Sequence, residues 1–193
     1  MKGLISRIFN KLKILRSIFA FSNCAELVTS KLFHRNSNVL VYRYKQFRLV
    51  SFESYTDGVS IQECLAEKVY EKALQESKPK GRIGNYINLG ANIGAFDVAI
   101  FDAWGMETQG IAVEMNPWTF ARLASNIYYN KLSTRPLHAA VLDQSGTASI
   151  SIENSGQGQS LYHSVGSNPT SEVKTLTLSQ AASILSRYIR RRP

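Results

Sequence analysis

Apolar and polar positions change period several times along the 193 residues of the chain. In residues 1–21, Leu4, Ile5, Ile8, Phe9, Leu12, Leu15, Ile18 and Phe19 fill one half of a helix. Lys2, Ser6, Asn10, Lys13 and Ser17 fill the other half, and Lys11 and Arg16 sit at the rim. Residues 39–53 alternate instead, which predicts a strand pair turning near Lys45 and Gln46. Ser60 to Gln75 returns to helical spacing, with Ile61, Leu65, Val69 and Leu74 on one face. The turn-rich Ser77-Lys-Pro-Lys-Gly81 then opens a new unit.

From there strands and helices alternate. Tyr86 to Leu89 reads as a short buried strand and Ala95 to Trp104 as a helix. A second strand, Ile111 to Val113, ends in Glu114. Asn116 and Pro117 are a cap and a first helical residue, for a helix running to about Asn130. Leu137 to Val141 and Thr147 to Ile152 read as strands. A polar loop fills 154–160, and Val173 to Leu178 is a strand leading into an Arg-rich helix. This rhythm predicts an α/β domain with a mainly parallel sheet. Residues 1–38 form a helical extension and 39–193 the domain, which opens with the β-hairpin.

Composition narrows the function classes. The 44% hydrophobic and 19% charged fractions are those of a globular domain rather than a disordered or disulfide-stapled one. The net charge of +9 gathers at the two ends, and no RNA-binding motif or zinc-finger spacing accompanies it. Nucleic acid is therefore not expected as a partner. Lys11, Lys13 and Arg16 interrupt the first apolar run and no small-residue cleavage site follows, so it does not read convincingly as a secretion signal; the same charges rule out a spanning helix. Two readings of residues 1–21 stay open: a helix lying on an anionic membrane surface, and a helix packed on the protein's own core. Cys24 and Cys64 are too few and too far apart for a disulfide framework or a metal set. They fit a cytoplasmic protein, membrane-associated or not. His34, His138 and His163 have no metal-like or triad-like spacing, so no metal site is expected.

The candidate chemistry lies at Asn88-Leu-Gly-Ala-Asn-Ile-Gly94, between a strand and a helix. Gly90 and Gly94 let the backbone bend tightly and approach a ligand closely. A loop at the mouth of a parallel sheet, before a helix, is where nucleotide-like ligands bind. Glu114 follows Gly94 by twenty residues, at the end of the next strand, where a carboxylate can accept from both hydroxyls of a ribose. The loop lacks G-x-G-x-x-G, so no pyrophosphate cradle is evident. A ligand with a ribose and no phosphate fits better than NAD, and S-adenosylmethionine is the common one.

Four segments recur in a familiar order. They are Asn88 to Gly94, Val113-Glu-Met-Asn-Pro117, Ala121-Arg-Leu-Ala-Ser-Asn126, and His138-Ala-Ala-Val-Leu-Asp-Gln-Ser-Gly-Thr-Ala148. Together with Asp57 and the helix after it, they resemble the FkbM family of S-adenosylmethionine-dependent methyltransferases. That family shows D-x-G-A-N-x-G, E-P-x-P, a helix with a late Asn, and A-V-x-D-x-x-G-x-A. The resemblance covers roughly residues 39–180. It implies a class I methyltransferase-like Rossmann fold and S-adenosyl-L-methionine as cofactor. Methyl transfer would be to an oxygen of a small-molecule or glycan acceptor. It places Asn88, Gly90, Ala91, Asn92 and Gly94 at the methionine end of the cofactor and Glu114 on the ribose. Met115 and Asn116 would flank the adenosine, and Ala140 and Val141 the adenine edge. No base is assigned. Asp143 is a candidate by location alone, and a turn residue before Ser145 and Gly146 is the favoured reading. Trp118 and Phe120 are expected in the core.

Two departures from the family pattern matter. Its usual Asp is Asn88 here, which removes a negative charge near the cofactor's ammonium. After Val173-Lys-Thr-Leu-Thr-Leu-Ser-Gln180 the pattern continues with a strand like K-I-D-V-E-G-A-E, whereas this chain runs into Arg190-Arg-Arg-Pro193. The expectation is an incomplete sheet, with an open edge at Tyr86 to Leu89 and an uncovered apolar face beside Tyr86, Ile87 and Leu89. Self-association through that edge would follow. Other functions stay in view: a truncated or inactive cofactor-binding module, and a peripheral membrane protein acting through its basic helix.

Overall fold

Buried parallel strands need helices on both faces, and the alternation after residue 85 supplies them. A computed structural model describes residues 17–33, 39–52, 57–151 and 170–190. The described elements open with α1 (Cys24–Phe33), the hairpin β1 (Val39–Tyr44) and β2 (Phe47–Phe52), and α2 (Asp57–Ile61). A π-helical turn (Gln62–Ala66) and α3 (Glu71–Glu76) follow. The alternating unit is β3 (Asn85–Leu89), α4 (Ala95–Trp104), β4 (Gln109–Glu114), α5 (Pro117–Tyr129) and β5 (Thr134–His138). Then come β6 (Ala140–Val141), β7 (Gly146–Ser151), β8 (Thr170–Leu176) and α6 (Leu178–Arg190).

The fold is a mixed α/β, Rossmann-like arrangement. Strands β3, β4 and β5 lie side by side in that order, all parallel. Because strand side chains alternate, Tyr86 and Ala112 face one side, in one core with Val98 and Phe101 of α4 and Leu123 and Ile127 of α5. Ile111 and Val113 face the other, packed with Ala181, Ile184 and Leu185 of α6. A second sheet has the order β6-β8-β7, with β6 parallel and β7 antiparallel to β8.

Several expectations change. The helix expected over Ser60 to Gln75 is divided: a π turn follows α2, Lys68 takes a φ of 52°, and α3 starts afresh. The wider π turn breaks the 3.6-residue spacing, so Val69 is exposed while Ile61, Leu65 and Leu74 are buried. The strand expected over Leu137 to Val141 is split. Ala139 donates its N–H to the Glu114 carbonyl, and Ala140 and Val141 turn away to pair with Thr175 and Leu176. The hairpin forms as expected, with Lys45 at a φ of 50° supplying the turn that Asn-Gly ordinarily makes.

Most of the amphipathic helix expected in residues 1–21 lies outside the described residues. At its described end Ile18 is buried with Phe21, Leu27, Tyr42 and Phe101, while Phe19, expected on the same face, is 72% exposed. The chain turns at Phe19 and Ala20, so the helical face does not continue. No helix among the described residues is long and apolar enough to cross a membrane. Strand β3 has one neighbour, β4, among the described residues. The face beside it is not left open as expected: Tyr86 is buried, Ile87 packs in the cluster under α6, and Leu89 alone of the three is exposed. The helix leading out of β8 folds back over the sheet and covers the Ile87 side, while α4 and α5 cover Tyr86.

Candidate cofactor site

At the carboxyl end of β3 the backbone must reverse into α4 within a few residues. Gly90, Asn92 and Gly94 achieve this with φ of 70°, 50° and 89°. Gly94 is favoured on two counts. Its φ lies in the left-handed region, and a Cβ there would stand 3.1 Å from the Leu123 side chain. Gly90 is required by φ alone, since a Cβ there would meet nothing within 4 Å. That side of the loop is open.

The loop is fastened to the end of β4. The N–H groups of Gly90 and Ala91 both donate to the Val113 carbonyl at 2.9 Å, and Gly94 N–H donates to the Ala91 carbonyl. Asn92 N–H donates to Glu114 Oε2 at 3.0 Å, and Asn116 N–H to Glu114 Oε1 at 2.9 Å. Glu114, only 9% exposed, is thus held by one backbone donor on each oxygen. A carboxylate offers about four lone-pair sites, so each oxygen keeps the capacity for one more donor.

The remaining expected site residues divide. Asn116 is a helix cap: its Oδ1 accepts from Trp118 N–H and Thr119 N–H, ahead of Pro117 at the first helical position. Its Nδ2 is buried without a partner among the described residues. Met115 packs against Ala140, Ile150 and Val173. Its carbonyl lies 2.9 Å from His138 Nε2, and the His138 ring stacks on Phe120 at 5.1 Å. Gly90 to Gly94, Glu114 and Asn116 therefore come together at the ends of β3 and β4. Ala140 and Val141 belong to the second sheet, Ala140 in the cluster that Met115 joins. Trp118, expected in the core, is 61% exposed beside the cap, because the first turn of α5 points it outward. Asp143 is exposed in the bend after β6.

Asn88 is turned inward. Its Nδ2 donates to Asp97 Oδ2 at 2.7 Å, and Tyr86 Oη donates to Asp97 Oδ1 at 2.6 Å. The Tyr86 hydroxyl also lies 2.6 Å from Thr134 Oγ1 on β5. The register explains this reach: Tyr86, Gly110 and Thr134 form one row across the sheet. The Tyr86 ring lies over Gly110, where a Cβ would come within 2.3 Å of it. Burial pushes the fully enclosed Asp97 carboxyl up to about 6, against the lowering effect of its bonds from Tyr86 and Asn88. Burial and the Asp97 charge hold the Tyr86 hydroxyl well above its ordinary value.

Two further ties brace the site from the hairpin side. Asn126 accepts from Val50 N–H and donates to the carbonyls of Val50 and of Ile93 in the loop. The buried Arg122 and Asp57 pair at 2.8 Å, and Asp57 also accepts from Phe52 N–H. Asp97 and Thr134 were not singled out in the sequence, and Tyr86 was expected there only as an apolar strand residue. The available signal was an acid in the first turn of a largely apolar helix, which reads equally as a helix-dipole partner.

No family model matches the chain, and no curated protein matches it. Three solved structures share features of its fold. A transferase of Pyrococcus horikoshii, PH0793, is 17% identical, with 61% of this chain and 47% of that one covered and a TM-score of 0.45. A SAM-dependent methyltransferase of Agrobacterium tumefaciens is 11% identical over 54% of this chain and 33% of that one, with a TM-score of 0.41. TYW2 of P. horikoshii, solved with MeSAdo, is 16% identical over 61% and 47%, with a TM-score of 0.41. This chain spans about half the length of the two Pyrococcus proteins and a third of the Agrobacterium one.

Proposed function

We propose that the loop Gly90–Gly94 and Glu114 hold the nucleoside of S-adenosylmethionine, and that the chain is an FkbM-like methyltransferase acting on a hydroxyl of a sugar or natural-product-like acceptor. The observation that carries this reading is how the loop's donors are used. Four of the five loop N–H groups, those of Gly90, Ala91, Asn92 and Gly94, donate within the protein. A pyrophosphate would need such groups free, as in dinucleotide-binding loops. A ribose needs an acceptor instead, and Glu114 stands there with one site left on each oxygen. Gly90 opens the approach.

The cofactor supplies a methyl group on a sulfonium, activated toward an oxygen nucleophile. In this reading the chain's own residues bind and orient it: Glu114 fixes the ribose, and the loop lies along the methionine end. Asn88, Ala91, Asn92 and Asn116 support the site through the fold, and Met115, Ala140 and Val141 border the adenine side. The acceptor class comes from the motif resemblance.

Calorimetric titration with S-adenosylhomocysteine and with NAD tests the reading. S-adenosylhomocysteine should bind and NAD should not, and the reverse would overturn it. Glu114→Ala should weaken S-adenosylhomocysteine by about tenfold or more, the effect of losing one hydrogen bond to a charged acceptor. An unchanged dissociation constant in a folded variant would make Glu114 a bystander.

A further inference from the structure

We infer that Asp97 is a positioning residue for the site: it fixes the Asn88 amide so that its carbonyl oxygen is presented to the loop as an acceptor for a cationic amino group. The part concerning the amino group rests on the reading of the pocket proposed above; the part concerning the amide rests on the protein alone.

An amide side chain is ambiguous, since it can present either an acceptor or a donor by turning over. Here the ambiguity is removed from behind. An ionised Asp97 only accepts, its Oδ1 is taken by Tyr86, and its Oδ2 lies 2.7 Å from Asn88 Nδ2. The Asn88 NH2 must therefore face Asp97. Asn88 Oδ1, the other end, has no hydrogen-bond partner among the described residues and is not sealed from solvent. Tyr86 is held in turn by Thr134 across Gly110, so the carboxylate has little freedom to rotate. The negative charge that Asn88 lacks lies one hydrogen bond further back, in the first turn of α4.

Protonation of Asp97 would remove the constraint, because a carboxylic acid can donate to Asn88 Oδ1 and let the amide turn over. The groups facing Asp97 are Tyr86 and Asn88, with Thr134 behind Tyr86. Cys64 of the π turn senses its charge, but burial first and Glu63 next push that thiol up to about 12. Tyr86 and Cys64 stay neutral across mildly acidic and neutral pH, so Asp97 is the group that titrates there.

Two arms test this. The first uses no ligand: the side-chain amide signals of Asn88 are followed by NMR from about pH 4 to pH 8. They should shift with one transition in the parent and stay flat in Asp97→Asn. Signals that are flat in the parent, or that titrate unchanged in the variant, overturn the inference. The second compares S-adenosylhomocysteine with methylthioadenosine, which carries the nucleoside without the amino-acid end. Asp97→Asn should weaken the first by about tenfold and leave the second within about twofold. Asn88→Asp combined with Asp97→Asn exchanges the two groups and should restore affinity for the first. Equal effects on both ligands would make Asp97 a merely structural residue. If the parent binds neither ligand while the amide titrates, the cofactor reading falls and the positioning of the amide stands.

Discussion

The two sheets are held together by different means. In β3-β4-β5 the side facing α4 and α5 carries buried polar groups in contact: Tyr86, Asn88, Asp97 and Thr134, with Asn126 bracing the loop from α5. In β6-β8-β7 the core is apolar and small, with Ala140, Ile150 and Val173 packed against Met115 and Ala148. Apolar packing tolerates adjustment, since volume matters more than direction. A buried polar network demands that every partner be in place, because a lost bond leaves a desolvated group. The first sheet is thus built to hold a loop in one geometry, and the second to provide cover.

The sharpest way to break this contrast is Gly110→Ala. The new methyl would fall on the buried Tyr86 ring, which its hydroxyl bonds keep from swinging aside. A loss of about 3 kcal/mol or more is expected from overpacking together with the broken row. It should be non-additive with Tyr86→Ala in a thermal-unfolding double-mutant cycle. Full additivity would mean that the ring and Gly110 are not coupled.

Asp97 offers a comparable effect with a pH signature. Its folded value of about 6 lies above the ordinary 3.8, so the folded state holds the proton more tightly than the unfolded one. The stability this contributes is complete below about pH 4 and is lost as pH rises through about 6, some 3 kcal/mol in all. Asp97→Asn has no such group. Its deficit relative to the parent should therefore shrink from about pH 4 to pH 7. Unfolding midpoints measured in urea across that range check the sign, and a constant deficit would contradict it.

Asn126→Ala removes three hydrogen bonds and leaves Val50 N–H and the Ile93 carbonyl without these partners. A loss of about 2 kcal/mol is expected, with faster hydrogen exchange at both Val50 and Gly94. Protection that changes on the hairpin alone would separate the loop from the clamp. The smallest effect belongs to the other sheet: Ile150→Val should cost about 1 kcal/mol and leave the Asn88 amide signals unmoved. A change there would show that the two regions are coupled.

The alternating pattern was enough to place β3, α4, β4 and α5 nearly residue for residue, because hydrophobic period and the Asn116-Pro117 cap are local properties. The loop and Glu114 were legible for the same reason: glycine at left-handed φ and a carboxylate at a strand end are readable in one dimension. Three things needed the tertiary structure. The π turn after α2 shifted a helical face that the spacing of Ile61 to Leu74 had drawn as continuous. Ala140 and Val141 left the strand before them because β8, with partners 35 residues on, offered the free backbone groups. And Asn126, Asp97 and Gly110 acquired their roles through partners 33, 9 and 24 positions away. A single residue's chemistry states what it can bond, but which group stands within 3 Å of it is settled only when the sheet closes its register.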